Sequence, residues 1–199
     1  MMNKEGSVMK SLRLMLCAMP LALTGCSTLS SVNWSAANPW NWFGSSTEVT
    51  EQGVGALTAA TPLNEQAIAD ALDGDYRLRS GMKIANGNVV RFFEAMKDDK
   101  VAMVINGEQG TLSRIDVLDS DIPSEAGVDV GTPFSDLYSK AFGNCQPATD
   151  DDRVAVECKA QGSQHISYLF SGEWHGPEGL MPSDDTLKEW KVSKIIWRR

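Results

Sequence analysis

No apolar run in the 199-residue chain reaches the roughly 18 residues that a membrane-spanning helix needs, so no transmembrane helix is expected. Positive charge is in deficit. The 18 Lys and Arg face 26 Asp and Glu, for a net charge of −8. Nucleic acid is therefore excluded as a partner, because a phosphate backbone calls for a basic face. Histidine is scarce, with only His165 and His175. There is no G-x-S-x-G, H-E-x-x-H, Walker loop, dinucleotide fingerprint or C-x-x-C. Ser-His-Asp triads are recognised by geometry rather than by order in the chain, and nothing in the sequence singles out an activated Ser. No catalytic residue, metal or cofactor is nominated, and the chain reads as non-enzymatic.

Apolar residues make up 42% and charged residues 22%, enough apolar surface for a packed core in a chain of about one domain. The first 25 residues read as an export signal. Lys4, Lys10 and Arg13 are its basic start, and residues 14–23 (LMLCAMPLAL) are its apolar stretch. Met9 is an alternative start that keeps Lys10 and Arg13. Leu23-Thr24-Gly25-Cys26 resembles a bacterial lipobox. That resemblance implies cleavage before Cys26, a thioether-linked diacylglycerol on its sulfur and acylation of the new amino terminus. The competing reading is an ordinary secretory signal in which Cys26 is incidental. One acyl chain binds a membrane marginally and two or more anchor stably, at about 0.8 kcal/mol per buried CH₂. Ser27, which is not Asp, points by analogy to the outer membrane. The expected address is the outer membrane, lipid-anchored and facing the periplasm. Without residues 1–25 the chain carries 15 basic and 25 acidic residues. Its bulk is then repelled by an anionic bilayer, so a lipid has to hold it there.

Cys17 leaves with the signal and Cys26 takes the lipid. Cys145 and Cys158 remain and read as one disulfide in an oxidising periplasm. A metal or redox pair is disfavoured by the spacing and by the lack of a nearby His. Residues 26–52 read as a Ser/Thr/Asn-rich linker that also holds Trp34, Trp40, Trp42 and Phe43. Three readings of these aromatics stand open. They are an interfacial membrane anchor, a contact for a groove on the domain or on a partner, or a segment packed on the core.

Residues 53–199 read as a single periplasmic domain. Thr61-Pro62 predicts a helix start, with Leu63, Ala67, Ile68, Ala71 and Leu72 at helical spacing and Asp73-Gly74 as its stop. Alternation from Tyr76 to Ile84 predicts a strand. Further strands are predicted at 89–96, 101–105 and 112–118, with hairpin turns at Asn86-Gly87 and Asn106-Gly107. The second half repeats the order. Thr132-Pro133 opens a predicted helix carrying Phe134, Leu137, Tyr138, Ala141 and Phe142, and strands follow at 153–159, 165–170 and 191–197. Leu112-Ser113-Arg114-Ile115 is echoed by Val192-Ser193-Lys194-Ile195. The fold class is α+β: antiparallel sheet or sheets with helices packed on one face, compatible with two helix-plus-meander units.

Three segments carry a family resemblance: residues 53–62 (GVGALTAATP), residues 127–138 (GVDVGTPFSDLY) and residues 193–197 (SKIIW). With the lipobox ahead of them, they resemble the enterobacterial RpoE-regulated lipoproteins, a family defined by a domain of unknown function. The resemblance implies an envelope lipoprotein of the response to misfolded outer-membrane proteins. It brings no catalytic residue to carry over.

Polar clusters add little. Glu173 and His175 share one side of an extended segment, and with His165 they form a loose candidate metal set that is better read as solvated. Asp150-Asp151-Asp152 reads as a solvated acidic turn, since calcium-loop spacing is missing. Asp116, Asp119, Asp121 and Glu125 read the same way, with a basic partner surface as the functional option. The expected function is therefore binding of another envelope component, protein or glycan. The alternatives are a small-molecule or lipid carrier, and a hydrolase of an envelope polymer. A carrier requires a deep apolar pocket, a hydrolase a cleft of polar groups with shifted pKa values, and a binder an open patch.

Overall fold

The computed structural model describes residues 47–199 other than positions 86, 150, 151, 153 and 178. Residues 1–25, expected to be an export signal, lie outside the described residues with Cys26, Trp34, Trp40, Trp42 and Phe43, as do Asn86, Asp150 and Asp151.

The described residues open with a small antiparallel sheet of β1 (Val49–Thr50), β2 (Gly53–Val54) and β3 (Leu57–Thr58). The domain thus begins earlier than residue 53. Val49 is fully buried, and its N–H donates to the Pro123 carbonyl at 2.8 Å. The Trp197 indole donates to the Glu51 carbonyl at 3.2 Å. A linker composition concealed one apolar anchor, and fully burying a valine contributes about 1.5–3 kcal/mol relative to leaving it exposed.

Helix α1 (Glu65–Ala71) follows. Its cap is Asn64 rather than Thr61, with the Asn64 Oδ1 accepting from the Ala67 N–H at 2.9 Å. Thr61-Pro62 is occupied elsewhere. Thr61 Oγ1 accepts from the Thr58 N–H at 3.0 Å, and Pro62 bridges to Thr111. Leu63 and Ile68 then fall at the two positions of a hydrophobic staple. The stop is where it was expected: Asp73 and Gly74 both have positive φ, and the Gly74 N–H returns to the Ala69 carbonyl.

Eight strands form one antiparallel sheet in the order β4-β5-β6-β7-β11-β10-β9-β8. The first half supplies a meander of β4 (Arg77–Ala85), β5 (Asn88–Lys97), β6 (Lys100–Glu108) and β7 (Thr111–Val117). The second supplies β8 (Cys145–Pro147), β9 (Val156–Lys159), β10 (Ile166–Ser171) and β11 (Lys191–Arg198). The halves meet where β7 pairs with β11: Ile115 opposes Trp197, Asp116 opposes Ile196 and Val117 opposes Ile195. The class is α+β with the β content dominant.

Ala85 pairs with Asn88, as the Asn86-Gly87 signal requires. Asn106-Gly107 is not a turn. Both residues lie inside β6, and the reversal comes at Gln109-Gly110, both at positive φ, with Glu108 opposite Thr111. The second predicted helix also shortens. α2 covers Phe134–Leu137 and Tyr138 is already extended at φ −135°. The N–H of Phe134 goes to the Trp190 carbonyl at 2.9 Å, and the Tyr138 hydroxyl donates to the Lys159 carbonyl at 2.5 Å. The apolar residues that looked helical are instead held by contacts to the sheet. Phe134, Tyr138 and Ala141 are buried, whereas Phe142 is 86% exposed. A third short helix, α3 (Asp184–Leu187), is capped by Ser183.

Alternate residues of the central strands form the principal core. Phe93, Met103, Ile105, Ile115, Tyr168, Phe170, Ile195 and Trp197 share it with Ile68, Phe134 and Leu187 of the helices. The intervening residues line the other side of the sheet. There the segment after β8 contributes Ala148 and Ala155, which pack with Leu169 and Ile196 in a second, smaller cluster.

Candidate functional site

Where β8, β9 and β10 adjoin the end of β11, an open groove of about 630 Å³ is lined by Gln146, Glu157, Lys159, Gln164, His165, Ser167 and Arg198, among others. Alternation sets it up: Glu157 and Ser167 occupy strand positions between residues of the principal core, and Arg198 follows core Trp197 as the last residue of β11. Arg198 grips Glu157 with both terminal nitrogens, Nη1 to Oε1 and Nη2 to Oε2 at 3.0 Å. Nη1 also donates to Ser167 Oγ at 3.0 Å, and Ser167 Oγ donates to Glu157 Oε1 at 2.5 Å. Burial pushes the Glu157 carboxyl up. The hydrogen bonds from Arg198 and Ser167, with the charges of Arg198 and Arg114, outweigh burial and hold it below the usual carboxylate range.

His165 sits at the same end. Its Nδ1 is 2.7 Å from the Arg198 carbonyl, and its ring lies 6.5 Å from that of Trp197. Among the described residues it makes no hydrogen bond to Ser167. The Ser167 proton is committed to a carboxylate that favours its ionised form, which is a poor proton acceptor. The groove thus offers a closed charge pair, the Lys159 ammonium, amide side chains at Gln146 and Gln164, and the imidazole edge of His165. This is hydrogen-bonding rather than nucleophilic equipment.

A second network lies on the same side of the sheet. Arg114 Nε donates to Asp116 Oδ1 at 2.6 Å and stands 3.7 Å from Asp152, whose other oxygen receives Lys194 Nζ at 2.6 Å. Asp116 is only 7% exposed. Asp116 and Asp152 are therefore not the solvated acids that their neighbours in sequence suggested, since each neutralises a cation against the sheet. Asp121 keeps a surface position, 3.7 Å from Lys97, and Asp119 Oδ1 accepts the Asp121 N–H. His175 Nε2 and Glu173 Oε1 are 2.9 Å apart and both side chains are exposed, but His165 is engaged elsewhere. Among the described residues no group of three or more His, Cys, Asp or Glu is placed to hold a metal. Cys145 and Cys158 oppose each other across β8 and β9 and are joined in a disulfide.

Glu157, Ser167 and Arg198 were not singled out from sequence, although the two-residue alternation that placed His165 on a strand also applies to them. For Glu157, a charged residue between the core residues Val156 and Cys158 was the available signal.

An antiparallel α+β domain with an open polar groove and a disulfide at its edge is the class that fold and site define. Residues 31–199 match the family model described as "Protein of unknown function (DUF1131)", and the chain belongs to that family. It is 86% identical over 191 residues to the uncharacterized protein YfeY of Escherichia coli (strain K12), covering 96% of this chain and 100% of that protein. The crystal structure of YfeY from Escherichia coli matches with a TM-score of 0.71 at 80% identity, covering 77% of this chain and 100% of the crystallised one. This agrees with the expectation of a family defined by a domain of unknown function.

Proposed function

We propose that this chain is an outer-membrane lipoprotein of the envelope-stress response, anchored through Cys26 and facing the periplasm, that acts by binding an envelope glycan in the β8–β9–β10 groove. The carrying observation is the self-closed ion pair. With Glu157 and Arg198 neutralising each other, Lys159 is the one further charged side chain of the lining, and the rest presents directional donors and acceptors. Polyhydroxylated chains match that chemistry better than apolar ligands do. Exposed Phe142, next in the chain to Gly143 of the groove lining, adds a flat apolar ring of the kind that covers a sugar face.

The test is co-sedimentation of the full chain with purified glycan strands. Gln146→Ala with Gln164→Ala should weaken binding about tenfold or more, at roughly 1 kcal/mol per lost hydrogen bond, and leave the unfolding midpoint near that of the parent. Retention of an envelope protein but not of glycan by the parent chain would replace the glycan reading with a protein one. The anchor has its own check. Cys26→Ala should give an unprocessed or mis-sorted precursor, and a soluble periplasmic form with unmodified mass at Cys26 would refute it.

A further inference from the structure

β5 outruns its inner neighbour. Its pairing with β6 covers only Phe92 to Lys97, whereas its pairing with β4 continues out to Ala85 and Asn88. Residues 82–85 and 88–91 therefore form a two-stranded arm with no third strand paired to it among the described residues. At the usual strand rise of about 3.4 Å per residue it reaches on the order of 13 Å past the sheet. Such a ribbon is only marginally stable alone, and it exposes unpaired edges.

The arm's composition is opposite to that of the rest of the molecule. Met82, Ile84 and Val89 are 74%, 78% and 71% exposed, among the few large apolar side chains that are. Residues 76–93 hold four cations and no acid, while the remainder of the chain holds 14 basic and 26 acidic residues. Arg77 pairs with Asp99 and Arg79 with Glu94. Lys83 and Arg91 have no ion-pair partner among the described residues, and Lys83 Nζ rests 5.8 Å from the centre of the Phe92 ring. Ile84 and Val89 form the rung next to the one that closes the turn. Lys83 with Val90, and Arg91 with Met82, form the two rungs behind it.

We propose that this arm docks tip-first on an anionic phospholipid surface. Ile84 and Val89 enter the interface, and Lys83 and Arg91 meet headgroup phosphates one and two rungs further back. The spacing suits the region, since interfacial elements bury apolar groups about 5–10 Å deep. Charge points to the same occupant. The acidic bulk is repelled by such a surface, so the arm is the part of the sheet that approaches it, and the domain is oriented with this edge of the sheet toward the lipid. A second copy is a poor occupant, because two arms side by side would bring four cations together with no acid from residues 76–93 to offset them. The proposal rests on neither the groove nor the Cys26 anchor.

Hydrogen exchange of the full chain tests it, with vesicles of phosphatidylglycerol or of phosphatidylcholine. Amides of residues 82–91 should slow with the anionic vesicles and not with the zwitterionic ones, while amides of β6 and β7 stay unchanged. Lys83→Glu with Arg91→Glu should abolish the slowing, and it should also fade at about 0.5 M salt, where screening is strong. At the strength typical of basic residues beside anionic lipid, the double reversal should reduce vesicle affinity about tenfold or more. Ile84→Asn should weaken docking while leaving the salt dependence. Three results would overturn the proposal. They are no slowing with phosphatidylglycerol, equal slowing with both lipids, or slowing that follows protein concentration without vesicles.

Discussion

Glu157 shows how one side chain ties groove chemistry to stability. Its carboxyl is held below the usual range by Arg198 and Ser167. Because the folded-state value is depressed, the associated stability is fully present above the unfolded value. It is lost as pH falls through the folded one. Glu157→Gln keeps the shape and removes the charge. It should cost about 1–2 kcal/mol at neutral pH, leaving Arg198 with a weaker partner, and should flatten the fall of the unfolding midpoint between roughly pH 5 and 3. Urea titrations across that range would decide it, and a variant with the parent's acid limb would assign the acid sensitivity to other carboxylates. The groove was only half legible at this scale. His165 was expected on a strand and lies one residue before β10, whereas an ion pair that spans β9 and β11 depends on which strands adjoin, and one sequence does not state that order.

At the scale of elements, local signals worked where nothing else needed the residue. Asp73-Gly74 ended α1 as expected because αL caps are a local property. Asn106-Gly107 has the same appearance as Asn86-Gly87, but its glycine serves a close approach. A Cβ on Gly107 would lie 2.4 Å from the Thr111 carbonyl oxygen and 2.8 Å from the Leu63 side chain. The pairing also slips a register between Asn106 and Gly107. Gly107→Ala should therefore destabilise by about 2 kcal/mol or more, as overpacking against backbone does, and chemical denaturation would measure it. A loss below about 0.5 kcal/mol would mean that β6 and the loop before α1 can part without penalty. The reversal between β5 and β6 is made by Asp98 and Asp99, both at positive φ, a pair that lacks the glycine by which such turns are usually recognised. The long helical pattern from Phe134 misled for a different reason. Phe134, Tyr138 and Ala141 are buried as the spacing demands, but Tyr138 reaches its partners from extended backbone.

For the whole molecule, the two outer hairpins are finished differently. The first overhangs the sheet as a free arm, and the second is short and closed by Cys145–Cys158. Cross-linking a loop of this length contributes about 3 kcal/mol, so reduction should lower the denaturation midpoint by a corresponding amount. A midpoint unmoved by reductant would show that β8 and β9 hold together through pairing alone. The first four-stranded group and three strands of the second were readable from turn spacing; the three-residue β8 was not, nor was the union through β7 and β11, because nothing local marks a pairing between residues some eighty positions apart. That union has a form of its own. Leu112-Ser113-Arg114-Ile115 and Val192-Ser193-Lys194-Ile195 match at an offset of eighty positions, and at that offset Asp116 corresponds to Ile196, the residue opposite it. Ile115 opposes Trp197 and Val117 opposes Ile195, so exchanging the two strands reproduces the same register. This is the geometry of an isologous contact, in which one surface meets its own copy about a two-fold axis, here joined within a single polypeptide.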